Sequence, residues 1–245
     1  MTLWEFAAPR RPQNVSRRLR WPSNLLIMLI DTLVLRLLFP LAAVGFAFHV
    51  EELGWGLLNT FLLPPAVALV FAVVALDLAI YLQHRLFHAV PWLWRLHRMH
   101  HADLEFDVTT GVRFHPVEII LSMGIKLLVV LSLGAPGLAV LIFEILLNAT
   151  SLFNHGNVRL PVSLDRWLRC IVVTPEMHRV HHSIRREETN SNFGFNLPWW
   201  DYLLKTYRPQ PSAGHLLMTI GLDDFRSTEE LKLHRMLLQP LRTLH

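Results

Sequence analysis

Hydrophobic positions gather into four long runs: Leu25 to about Phe48, about Leu57 to Gln83, Val117 to Leu133, and Leu138 to Phe153. A helix rises about 1.5 Å per residue and a bilayer core needs roughly 20 apolar residues. The pattern therefore predicts an all-α, polytopic membrane protein with about four transmembrane helices. Ser23 or Asn24 is placed to cap the first helix at Leu25. Asp31 and Arg36 interrupt that first run and read as snorkelling or packing against other helices, the alternative being a polar access route. Gly134-Ala-Pro-Gly137 makes the turn between the last two runs. In a hairpin about that turn Lys126 and Glu144 lie at nearly equal depth, so a buried ion pair is expected, since either charge alone would be costly in hydrocarbon.

Polar segments between the runs set the expected topology. Arg10, Arg11, Arg17, Arg18 and Arg20 precede the first run, whereas the linker from His49 to Gly56 carries Glu51 and Glu52 and no lysine or arginine. By the positive-inside tendency the N-terminus is cytoplasmic and the linker is outside. An even number of spans then returns the tail to the cytoplasm, as part of a cytosolic helical cap. Residues 1–23, with Pro9, Pro12 and Pro22, read as a basic leader, irregular or lying along the membrane surface, and residues 208–245 as an amphipathic cytoplasmic tail.

Composition agrees with this reading. The chain is 52% hydrophobic, with a mean hydropathy of +0.35, too apolar for an ordinary soluble domain, and its length allows one domain over residues 1–245. The pI near 9.7 is not accompanied by a nucleic-acid motif or stacking aromatics, so no nucleic-acid partner is expected. The single cysteine, Cys170, excludes an internal disulfide and a thiolate metal cage. No signal-peptide pattern precedes the first run.

The chemistry gathers in histidines. His84 and His88 are i,i+4 neighbours in HRLFH; His97, His100 and His101 follow as H-x-x-H-H, and the same spacing recurs at His178, His181 and His182. With 14 histidines in 245 residues, one H-x-x-H-H is expected by chance roughly 0.05 times, and it occurs twice. Neutral imidazole ligates iron, zinc or copper, and rings one helical turn apart can converge on one ion. Eight imidazoles exceed one metal, so a dinuclear site is the economical reading. His115 and His155 are isolated and weaker ligand candidates, while His49, His215, His234 and His245 read as surface or packing residues. Asp77 and Tyr81 share a helical stripe with His84 and His88, which makes them candidates to orient the ligands. Val90-Pro91 breaks that helix, and a new one from Trp92 carries the second cluster. Thr174-Pro175-Glu176 is a good helix start for the third. Trp199, Trp200 and Tyr202 resemble interfacial anchors.

The ordered set Asp77-Leu-Ala-Ile-Tyr81, HRLFH, PWLWRLHRMHH, RFHPVE, NHGN, TPEMHRVHHS, NFG and LPWWDYLLKTY resembles the fatty acid hydroxylase superfamily, also called the sterol desaturase family, over roughly residues 70–207. The resemblance implies a membrane-embedded non-haem di-iron oxygenase, a few transmembrane helices beneath a cytosolic cap. It assigns the eight clustered histidines as ligands. Some members carry a further H-x-x-x-H, where this chain has His155 but Arg159 four residues on. That leaves a ligand missing, replaced by Asn157, or supplied by His115.

The implied chemistry is O2-dependent removal of hydrogen from an unactivated C–H bond of a membrane lipid, giving an alcohol or, with loss of a second hydrogen, an alkene. Zinc is a possible occupant in purified protein. No dinucleotide fingerprint, haem-attachment motif or ferredoxin cysteine set is present, so electrons come from a separate donor of the ferredoxin, cytochrome b5 or reductase type. The competing readings are a membrane di-zinc hydrolase and a non-catalytic metal-binding or transport protein, which would place histidines along the spans. A bacterial inner membrane is the expected location.

Overall fold

The computed structural model describes residues 1–243, so His245 lies outside the described residues. The architecture is helical, and the described residues contain no strand, only isolated bridges between Pro9 and Val158 and between Ser183 and Ile220. Four stretches are long and apolar enough to cross a membrane: Arg17–Thr60, Pro65–Ala89, Pro116–Leu133 and Gly137–Asn154. The chain is an integral membrane protein of the polytopic all-α class.

The first stretch is broken into α2 (Arg17–Leu38), α3 (Ala42–Glu52) and the single turn α4 (Leu57–Thr60), after a short N-terminal α1 (Thr2–Ala7). Pro40 lies in the break between α2 and α3, where its ring and missing N–H cannot continue the ladder. The helix does not start at Leu25. Ser16 caps it, accepting from the Arg18 N–H, and Asn24 is buried instead, its amide donating to the Thr109 hydroxyl. The extension is held by tertiary pairing: Arg20, with no exposed surface, binds Asp103 at 2.7 Å and Asp107 at 2.6 Å. One leader arginine is thus a buried structural cation rather than a surface topology signal.

The second span, α5, runs from Pro65 to Ala89 rather than from Leu57, because Pro64-Pro65 separates it from α4 and supplies its first turn. Val90 then leaves the helix, and α6 (Pro91–His101) begins. Spans α7 (Pro116–Leu133) and α8 (Gly137–Asn154) form the expected hairpin. Gly134, at φ +63°, ends α7 in the left-handed conformation, and a Cβ there would lie 2.3 Å from the Trp55 carbonyl. Lys126 Nζ meets Glu144 Oε1 at 2.6 Å across this hairpin, as its symmetry predicts.

Small residues bring the spans together: Ala43 and Ala47 of α3, Ala72 of α5 and Ala139 of α8 are buried in one cluster with Leu76, Met123, Val130 and Phe143. Leu25, Leu29, Leu33 and Leu37 of α2 and Leu138, Leu141 and Ile145 of α8 stay exposed, the surface that lipid would cover. At one end Glu51 accepts the first N–H of α8, from Gly137, at 2.8 Å. The other end carries every histidine cluster.

That end is closed by polar packing. The loop from Ala102 to Thr110 is buried throughout, and its acids hold the leader: Glu105 accepts from the Asn14 and Val15 N–H groups at 2.6 and 3.0 Å. Glu5 of α1 accepts from the N–H groups of Val108 and Asn157, both at 2.8 Å. The leader therefore straps over the cap. The tail packs there too, with Met236 against Ile27 and Met99, and Arg98 donates to the carbonyls of Gln239 and Arg242.

Candidate metal centre

Four elements deliver nine histidines to one place. The last turns of α5 carry His84 and His88; α6 carries His97, His100 and His101; His155 ends α8; and α10 (Pro175–His181) with its C-cap carries His178, His181 and His182. Thr174 caps α10 as its sequence predicts, accepting from the Met177 N–H at 3.3 Å. The rings form two sets, His84, His88, His97, His101 and His181 in one, and His100, His155, His178 and His182 in the other, with candidate ligand atoms of each set within 4.8 Å of one another.

The sets cut across the sequence motifs. Each H-x-x-H-H contributes its i,i+4 pair to one set and its remaining histidine to the other: His97 and His101 join the first while His100 joins the second, and His178 and His182 join the second while His181 joins the first. Three rings on one helical face thus serve two centres, because residues at i and i+4 are offset around the helix from their i+3 neighbour.

Partners on the outer side fix which nitrogen faces inward. The carbonyls of Phe193, Ser191 and Ser151 lie 2.8 Å from Nδ1 of His84, His181 and His155, and the Arg113 carbonyl lies 3.3 Å from that of His100. Asn190 Oδ1 meets His88 Nδ1 at 3.2 Å, and Glu118 Oε1 meets His97 Nδ1 at 2.6 Å. A carbonyl or carboxylate can only accept, so Nδ1 donates in each case and Nε2 keeps its lone pair. In the first set all five Nε2 atoms are buried without a hydrogen-bond partner. In the second, His155 Nε2 lies 3.2 Å from His100 Nε2 and 3.0 Å from His178 Nε2. The lone pairs of His100 and His155 face one another with no proton between them, an arrangement that a cation relieves. These donor sets fit two transition-metal ions.

Burial and the neighbouring imidazoles hold His100, His101, His178, His181 and His182 well below the ordinary histidine value, and burial lowers His155 to about 4. These rings are neutral at physiological pH, the state that ligates. Phe114 stacks on His100 at 4.5 Å and Phe106 on His155 at 5.7 Å, walling off the second set. Gly111 is required by close approach: a Cβ there would lie 3.0 Å from His155 Nδ1.

Several expected residues take other roles. Asp77 accepts from the Trp200 indole at 2.7 Å and the Leu197 N–H at 3.3 Å, not from an imidazole, so it ties the aromatic segment to α5. Trp200 is correspondingly a packing residue, whereas Trp199 and Tyr202 stay exposed. Tyr81 pairs with the Thr206 hydroxyl at 2.7 Å. Asn157 exchanges hydrogen bonds with the Arg11 backbone. His115 caps α7, accepting from the Val117 N–H at 3.2 Å, and lies outside both sets. His49 and His234 are exposed, while His215 is buried against Glu176 at 2.9 Å. Sequence reasoning passed over Glu118, although RFHPVE contains it, and Asp201. The Asp201 carboxylate accepts from the Phe193 and Gly194 N–H groups, both at 2.9 Å, and so holds the loop whose carbonyls orient His84 and His181.

Fold and site together define a polytopic helical membrane protein with a doubled histidine centre at one membrane edge. Residues 69–206 match the fatty acid hydroxylase family profile, and the chain belongs to that family. It is 33% identical over 158 residues to ornithine lipid hydroxylase OlsE of Rhizobium tropici, covering 64% of this chain and 47% of that protein. It is 28% identical over 147 residues to human cholesterol 25-hydroxylase, covering 57% and 51%, and 26% identical over 144 residues to human alkylglycerol monooxygenase, covering 57% and 30%. The chain thus spans about half or less of the length of these relatives. No solved structure gives a significant match.

Proposed function

We propose that the protein is an O2-dependent hydroxylase or desaturase of a membrane lipid, with two iron ions held by the two histidine sets. The observation that carries this reading is the five inward Nε2 atoms of the first set, buried and unpartnered, beside the three convergent Nε2 atoms of the second. The names of the related lipid hydroxylases and the monooxygenase support the reaction class. Iron bound there supplies dioxygen activation and hydrogen removal from a C–H bond.

The chain's own residues do the rest. Glu118 fixes the His97 tautomer and raises the basicity of its inner nitrogen. Phe106 and Phe114 keep water from the second set, while Phe193 and Phe195 pack against His84. A cavity of about 300 Å³ between α2, α5, α7 and α8 reaches His84 and His97 and gives a lipid its approach from the membrane level. The remaining leader arginines support a cytoplasmic location for this end of the protein, where a separate protein donor would supply electrons.

The test is metal content per purified chain for wild type, His97→Ala and His155→Ala, with lipids of expressing cells read by mass spectrometry. Two metals in wild type, one fewer in each variant, and an O2-dependent lipid that gains one oxygen atom or loses two hydrogens support the proposal. Metal retained without any oxidised lipid favours a hydrolase; absence of metal overturns the reading.

A further inference from the structure

The cavity that reaches His84 and His97 ends at one level on the helices that form its deep walls. From Met28 to Leu35 on α2, from Glu118 to Lys126 on α7 and from Ser151 to Glu144 on α8, the lining runs about 10–12 Å down from the histidine end. Beyond that level Val130, Ala139, Val140 and Phe143 are buried in the core between the spans, and none of them lines the cavity. The floor is the Lys126–Glu144 pair, closed between α7 and α8 at 2.6 Å. Helix α2 rests on α7 and α8 on α5, with no packed α2–α8 interface among the described residues, so the side between α2 and α8 opens towards the bilayer.

This shaft suits hydrocarbon. Met28, Leu35, Ile80, Met123 and Leu147 line it, and most of its polar groups are spent on one another: Gln83 donates to Ser122 at 2.9 Å, and Glu118 accepts from His97. Asp31 is the exception, with Oδ1 unpartnered, and it lies beside Glu118 near the histidine end, where a lipid keeps its polar part. A volume of about 300 Å³, the lower end for a ligand pocket, spread over that depth leaves room for one hydrocarbon chain and not two. A buried ion pair can be replaced by packed apolar residues with little loss of stability, so holding α7 to α8 does not by itself require one. What Lys126 and Glu144 add is a bar that hydrocarbon does not push aside, because parting them would strand both charges in an apolar medium.

We propose that a single acyl chain of a membrane lipid enters between α2 and α8 and runs methyl end first down this shaft, with Lys126 and Glu144 as the specificity-determining stop. This rests on the lipid-oxygenase reading and narrows it. An extended chain with C–C bonds of about 1.5 Å advances roughly 1.3 Å per carbon, so about nine carbons separate the stop from the first histidine set. The C–H bonds offered to that set are therefore fixed by their count from the methyl end, whatever the full length of the chain.

The experiment is photolabelling of the metal-loaded full chain in phosphatidylcholine nanodiscs, with labelled residues located by peptide mass spectrometry. Two probes are compared: a saturated long-chain fatty acid carrying a diazirine beside its methyl end, and the same acid with the diazirine about nine carbons nearer the carboxyl group. In wild type the methyl-end probe should label the level of Leu35, Lys126 and Glu144, and the other probe the level of Val112 and Phe114. Lengthening the acid should leave the methyl-end label where it is. In Lys126→Ala/Glu144→Ala, which leaves no charge unpaired, that label should move at least one turn, about 5 Å, towards Gly134. The reverse order of labels in wild type, or labels confined to the outward leucines of α2 and α8, overturns the inference without any variant needing to fold. A label that stays in place in the double variant overturns the assignment to the pair. The expected labelling order without O2-dependent lipid oxidation would sink the oxygenase reading alone; lipid oxidation with the order reversed would sink this one alone.

Discussion

Arg20 shows how one side chain can decide the shape of the cap. Burial would raise Asp103 and Asp107, yet the guanidinium of Arg20 against both more than offsets this, and both sit below the ordinary carboxylate range. A depressed folded value means that their stabilisation is complete above the unfolded value and is lost as pH falls from there through the folded value. Replacing Arg20 with Met reverses the sign, because two buried carboxylates without that cation prefer to be protonated. Arg20→Met should cost roughly 3–5 kcal/mol at pH 7.5 and recover part of it at pH 5.5. Thermal unfolding midpoints at the two pH values check this; a variant that only loses stability on acidification would refute it. Arg20 was not legible as a structural residue, because an arginine before an apolar run carries the same local signal whether it faces water or a pair of aspartates 83 and 87 positions away.

At the scale of elements, periodicity reads well wherever the partner is local. The hairpin of α7 and α8, its glycine turn, the cap at Thr174 and the Lys126–Glu144 pair follow from spacing and turn chemistry alone. Boundaries failed where proline or distant contacts intervene, at Pro40, Pro64 and the Arg17 start. The histidine motifs gave away the residues but not their division, which depends on how α5, α6 and α10 cross. His155 could not be weighed against His115 from spacing: one ends α8 and belongs to the second set, while the other caps α7 and belongs to neither. The Lys126–Glu144 contact is part-buried, so a double-mutant cycle should be moderate. Lys126→Met and Glu144→Leu should each destabilise by roughly 1–3 kcal/mol, and the double variant should recover most of the loss. Additive losses in resistance to detergent unfolding would show that the pair does not couple.

For the whole molecule, the even number of spans puts the leader, the tail and the histidine end on one side, opposite Glu51 and Glu52. Cys170 is the only cysteine and is exposed at the histidine end, so the chain carries its own reporter. A membrane-impermeant maleimide should leave Cys170 untouched in intact cells and label it after lysis. In Cys170→Ser with Glu52→Cys the intact cells should be labelled. The opposite pattern would invert the topology.

Both histidine sets draw on α10, through His181 in the first and His178 and His182 in the second. In terms of biosynthesis, neither set exists while the ribosome is still short of residue 182. Spans α2, α5, α7 and α8 are then already long enough to have entered the bilayer. The insertion machinery thus handles a chain in which neither set is assembled, and any metal these sets take up would arrive after the seven-residue helix α10 has docked.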